Sequence, residues 1–174
     1  MENQNATKSI ILTYGIYMGI ASLIVEVANY AFGDIYQKKP IIGLLGSAIF
    51  VGFIVLAIKV YKTKNNGLLA VSEAIKVALG VALIAGIIGM IYQFILMNYL
   101  EPDFIDKASI AQEQIMLEAN PDMSEEELEM ALSMSKMMAK PGILAALSLA
   151  GSLIGGLVIG AIAGAIMKKE EKMY

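Results

Sequence analysis

The chain has 174 residues, 57% of them hydrophobic, and its 13 lysines against 16 acids leave a net charge of −3. Cysteine, histidine, tryptophan and arginine are all absent. That excludes a disulfide framework, a thiol nucleophile, and cysteine-based zinc or iron–sulfur sites. It also excludes histidine acid–base or haem chemistry, bidentate guanidinium phosphate clamps and arginine voltage sensors.

The apolar residues come in blocks. A hydrocarbon core about 30 Å thick needs about 20 apolar helical residues to cross it. Residues 10–32, 41–61, 75–99 and 143–167 meet that length. The first block follows a short polar lead, residues 1–9. It exceeds the usual signal-peptide core of about 7–15 residues, contains Glu26 and Asn29, and has no A-x-A site after it, so it reads as a retained span. The second span closes on Lys59, Tyr61, Lys62 and Lys64, and Asn65-Asn66-Gly67 reads as a turn. Ser72 then stands as an N-cap with Glu73 in the first turn of the third span.

Residues 101–140 form the only long polar stretch, with ten acids against three lysines. Pro102 suits the first turn of a helix running to Ala119, and Asn120-Pro121 breaks it. Ser124-x-x-Glu127 is a capping box that starts a second helix to about Ala139. Pro141-Gly142 resets the chain before the fourth span. The expected architecture is one domain, residues 1–174: an all-α membrane protein with a four-helix transmembrane bundle and an extracytoplasmic helical hairpin between spans 3 and 4.

Lysine placement orients the spans. With a cytoplasmic N-terminus, eight lysines (Lys8, Lys59, Lys62, Lys64, Lys76, Lys168, Lys169 and Lys172) lie inside, and five (Lys38, Lys39, Lys107, Lys136 and Lys140) lie outside. Four spans return the C-terminus to the cytoplasm. Tyr14, Tyr17 and Tyr61 then fall near the inner face, and Tyr30, Phe32, Tyr36, Phe94, Tyr99 and Phe104 near the outer one, as aromatic belts do.

Inside lipid, helices associate through close backbone approach at small residues. Gly151-x-x-x-Gly155 and Gly156-x-x-x-Gly160-x-x-x-Gly164 make the fourth span the richest. The others carry Gly15-x-x-x-Gly19, Ala48-x-x-x-Gly52, and Ala78, Ala82 and Gly86. The stripe reads either as packing within one bundle or as a homo-oligomeric seam or pore face.

Glu26 is the most suggestive single residue. It lies about 24 Å beyond Ile10 at 1.5 Å per residue, in the outer third of the membrane. Asn29 is one turn away and Gln93 falls at similar depth, so Glu26, Asn29 and Gln93, with Tyr92, are expected to form a polar cluster facing the bundle interior. That cluster is either a proton or cation site or a carboxyl group hydrogen-bonded near the interface. Met123, Met130 and Met137 recur every seven residues beside Met134 and Met138. Without cysteine or histidine they read as an adaptable apolar face rather than a copper site. Ser72 and Lys76 read as cap and anchor rather than a catalytic dyad, and Glu125, Glu126 and Glu127 as a solvated helix start. No phosphate loop or nucleotide fingerprint occurs, so no cofactor, metal or nucleic acid is expected.

Five stretches carry a family resemblance: Gly15-Ile-Tyr-Met-Gly19, Ser72-Glu-Ala-Ile-Lys76, Asn98-Tyr-Leu-Glu-Pro-Asp-Phe104, Met123-Ser-Glu-Glu-Glu-Leu-Glu-Met130, and Pro141-Gly142 before a glycine-rich span. Together they resemble the bacterial family catalogued as domain of unknown function 4199, small four-span proteins found chiefly in Bacteroidetes, over nearly the full length. The Ser-Glu-Ala stretch lacks the glycine that many members place between serine and glutamate. The resemblance implies a bacterial membrane location and brings no catalytic residues. The expected role is a non-enzymatic accessory or assembly protein of the inner membrane, contacting the bilayer and a protein partner through the acidic cap. Homo-oligomerisation is left open. The alternative is a small transporter or channel component using the Glu26 cluster, and a lipid-acting membrane enzyme ranks third.

Overall fold

The computed structural model describes residues 2–33, 35, 36 and 39–169. Lys38 and Lys172 of the lysine count lie outside the described residues. Among the described residues six α-helices follow in order: α1 (Glu2–Phe32), α2 (Pro40–Lys64), α3 (Val71–Ile95), α4 (Phe104–Ala119), α5 (Glu125–Met138) and α6 (Pro141–Met167). Among the described residues there is no β-strand. Four helical stretches are long and apolar enough to cross a membrane: Asn5–Phe32, Pro40–Lys64, Val71–Leu100 and Pro141–Met167. The chain is a multi-pass, all-helical membrane protein.

Local chemistry sets the helix ends. Pro40 and Pro141 open α2 and α6, where a missing N–H and a fixed φ cost nothing. α1 begins eight residues before its apolar block, because residues 2–9 contain no proline or glycine to stop it. α3 begins at Val71 with Ala70 at the N-cap, not Ser72. Alanine has no side-chain acceptor for the first-turn N–H groups, so only the reverse half of a capping box forms, the Glu73 carboxylate accepting the Ala70 N–H at 2.9 Å. α4 starts at Phe104, after Pro102 rather than on it. The Ser124 cap forms as the sequence pattern predicts, with Glu127 reaching back to the Ser124 N–H. α3 ends in a wide π-type turn, Leu96–Leu100, in which the Glu101 N–H donates to the Leu96 carbonyl.

α3 is the hub. α1 runs parallel to it, with Ile11 over Gly80, Gly15 over Val81 and Ile84, and Gly19 over Ile88. α6 runs antiparallel, with Gly164 against Ala74, Gly160 against Ala78 and Gly156 against Ala82. α2 packs on α1, α3 and α6. The resulting core holds Met18, Ile54, Ile58, Leu69, Val77 and Val81, all essentially inaccessible.

That core occupies one half of the bundle, the half bearing Lys8, Lys59, Lys62, Lys64 and Lys76. Past Gly19 on α1, before Ile54 on α2, between Ala82 and Leu96 on α3, and before Gly156 on α6, no described residue is fully buried. The four helices are closed at the lysine-rich end and open toward the end carrying α4 and α5. The closed end also has a clasp outside the helices. The Leu69 and Lys169 backbones exchange two hydrogen bonds at 2.9 and 3.0 Å. The Lys62 ammonium donates to the Met167 carbonyl at 2.7 Å, placing a cation on the last carbonyls of α6. Tyr61 donates to Glu73 across the same loop at 2.9 Å.

Candidate functional site

The predicted polar residues all fall in the open half. Glu26 lies seven residues, just under two turns, beyond Gly19, so it continues the stripe of α1 that meets Ile88. At that level Glu26 is exposed on the surface instead of enclosed in the bundle. It makes no hydrogen bond or ion pair with a described residue. Tyr92, one turn beyond Ile88, lies within electrostatic reach of both Glu26 and Tyr30. Asn29 is half-buried and turns toward the helix end, where a Cβ on Gly33 would sit 2.5 Å from its Oδ1. Gln93 is half-buried on α3. No hydrogen bond among the described residues joins Glu26, Asn29 and Gln93.

The glycines of α6 divide in the same way. Gly156, Gly160 and Gly164 are buried against α3, and Gly155 faces the Phe50 ring of α2. Gly151 is exposed, with open space where its Cβ would be. The tight part of the stripe serves contacts within the chain.

At the open end, α4 and α5 pack on one another, and the Ser135 hydroxyl donates to Gln112 between them. α5 touches α6 only lightly. A groove of about 470 Å³ runs along the pair, lined by Glu113, Glu125, Glu129 and Lys136 over Leu128 and Leu132. Leu128, Ala131, Leu132 and Ser135 are the half-buried stripe of α5, while Met130, Met134, Met137 and Met138 are exposed on the other side. Among the described residues no set of three acids is placed to hold a metal ion.

A latch that sequence reading misses ties this end together. The Glu101 carboxylate receives the Lys107 ammonium at 2.6 Å and the Tyr36 hydroxyl at 3.2 Å. The Tyr36 ring stacks on Phe104 at 5.7 Å. The hydrogen bond from Lys107 holds the Glu101 carboxyl below the ordinary carboxylate range, and Glu101 in turn raises Lys107. Burial first, then the Glu101 charge, hold the Tyr36 phenol above its ordinary value. Tyr36 comes from the α1–α2 connection and Glu101 from the turn after α3, so no local pattern pairs them.

The family model described as "Protein of unknown function (DUF4199)" matches residues 13–169. The chain belongs to this family. The match takes in α1 from residue 13 onward, the other three apolar helices, α4, α5 and the Leu69–Lys169 clasp. No curated protein and no solved structure matches the chain. Family membership therefore carries no activity to assign, and the chemistry has to be argued from the geometry.

Proposed function

We propose that the protein is a non-enzymatic accessory or assembly protein of the bacterial inner membrane, with cytoplasmic termini and an extracytoplasmic α4–α5 hairpin that receives a polypeptide partner. The observation that carries this reading is the exposed methionine face of α5, set beside an acidic groove and above an open bundle end. Exposed clusters of large apolar side chains mark interaction surfaces, and methionine suits surfaces that must adapt to a partner. The lysine bias supports the orientation. The closed half supports this reading over a transporter: below Glu26 the bundle is filled by apolar side chains from Met18 to Val81.

Photo-crosslinking from a probe at Met134 in native membranes, followed by affinity purification, tests the proposal. A discrete adduct should form and should disappear with the paired substitutions Met130→Glu and Met134→Glu. An adduct that survives the pair, or no adduct at all, overturns it.

A further inference from the structure

The proposed role leaves open what the exposed face of α5 receives. Met130, Met134, Met137 and Met138 are 64%, 55%, 52% and 47% exposed. The flank that packs on α4 is a different one, made by Leu128, Ala131, Leu132 and Ser135. Glu127, Met130, Met134 and Met137 follow one another at spacings of three, four and three. That alternation keeps one stripe of a helix against a second helix. The exposed face is therefore patterned for a helical partner.

Charge narrows the partner further. α5 is polarised along its length: Glu125, Glu126, Glu127 and Glu129 fall in its first five residues, Lys136 in its last turn and Lys140 just beyond it. All six are exposed, and among the described residues none of them forms an ion pair within the chain. A second α5 laid antiparallel supplies the complement. Centred between Ser133 and Met134, the pairing sets Met130 opposite Met137 of the partner subunit. It also sets Lys140 opposite Glu127 of the partner subunit, beside Glu126 of the partner subunit. A parallel pair would set acids on acids, which disfavours association. A lipid surface fits less well, because helices that lie on membranes carry cations around their apolar face, and this face begins with carboxylates.

We infer that the methionine face of α5 is a homodimer seam, on which α5 of a second copy of this chain packs antiparallel, each Lys140 meeting the acidic first turn of the other copy. The inference rests on the partner-binding reading of α5 and names the partner. Two copies in one bilayer are related by an axis along the membrane normal, so the seam also lays α5 across that axis.

The chain has no cysteine, so single cysteines report the seam. Chains carrying Met130→Cys and chains carrying Met137→Cys, tagged differently and co-expressed, should form a mixed disulfide when native membranes are mildly oxidised. Either variant expressed alone should not, because antiparallel helices hold its two cysteines about 10 Å apart along the axis, beyond disulfide reach. Lys140→Glu in both chains should lower the mixed disulfide about tenfold, the scale of two new like-charge contacts. Adding Glu126→Lys to that variant should recover it. A mixed disulfide that fails to form, that either single-variant control matches, or that is indifferent to the charge exchange overturns the inference. A Met134 adduct to a different polypeptide, with no disulfide between copies, overturns it and leaves the partner-binding reading standing. Failure of both the adduct and the disulfide overturns both.

Discussion

The two halves of the bundle use the same residue types to opposite effect. In the lysine-rich half, glycines on α1 and α6 meet side chains and backbone of α3, and every layer holds a residue hidden from its surroundings. In the other half Gly86 still meets Ser152 and Leu149 of α6, but Gly43, Gly46, Gly89 and Gly151 meet nothing within 4 Å, and large apolar side chains point outward. Small residues on a helix are therefore permission for close approach, not its cause. Approach happens where neighbouring helices present matching alanines, as α3 does at Ala74, Ala78 and Ala82, and where a clasp holds the helix ends together.

The largest effect should come from testing that contrast directly. A Cβ at Gly160 would lie 2.7 Å from the Ala78 Cβ and 3.1 Å from the Ile75 Cα. Gly160→Leu should cost about 2–3 kcal/mol by overpacking, read as a drop in the thermal midpoint in detergent. Gly151→Leu, one to two turns into the open half, should stay within about 0.5 kcal/mol of the parent. Equal penalties would erase the distinction between the halves.

The loop at the closed end gives the next effect. Glu73→Ala removes the acceptor for the Ala70 N–H and for the Tyr61 hydroxyl. It should cost about 1–2 kcal/mol and loosen the start of α3 in hydrogen exchange. Tyr61→Phe should reproduce only part of that loss.

Ser124→Ala should cost about 1 kcal/mol, confined to α5. The loss should appear as faster exchange over Glu125–Met138 with an unchanged melt of the spans. A drop in the span melt would show that α5 is coupled to the bundle more firmly than its light contact with α6 implies.

The smallest effect is the latch at the open end. Glu101 is held below its ordinary pKa by Lys107, so its stabilising contribution is present above the unfolded carboxylate value and is lost as pH falls through the lowered folded value. Lys107 is raised by Glu101, so its contribution is present below the unfolded lysine value and is lost as pH rises through the raised one. Spin labels on paired cysteines, introduced into a chain that has none of its own, should show the distance from the α1–α2 connection to α4 broadening at acid pH and not between pH 6 and 8. The same acidification should leave the Leu69–Lys169 clasp unchanged, because backbone hydrogen bonds do not titrate there.

Sequence exposed what is set by length and by local chemistry. The four apolar blocks were legible because bilayer thickness fixes a minimum run, and the Ser124–Glu127 box because its partners are three residues apart. Ala70 as an N-cap was not, because an alanine carries no cap signal and only Glu73, reaching back to the Ala70 N–H, marks the helix start. The outward placement of Glu26 was hidden for a different reason: its helical stripe is the packing stripe of Gly15 and Gly19, yet past Gly19 no α1 residue is fully buried. The Leu69–Lys169 and Tyr36–Glu101 contacts join positions 100 and 65 residues apart, which no window along the chain brings together.

The clasp also dictates an order of assembly. α3 presents Ala74, Ala78 and Ala82 to glycines of a helix that follow them by about 75 to 90 residues, and the strand-like pairing beside this contact waits for Lys169. A nascent chain that has not yet reached α6 thus carries an uncovered small-residue stripe on α3. Arrival of the fourth span covers that stripe and brings Lys169 to Leu69 in one event.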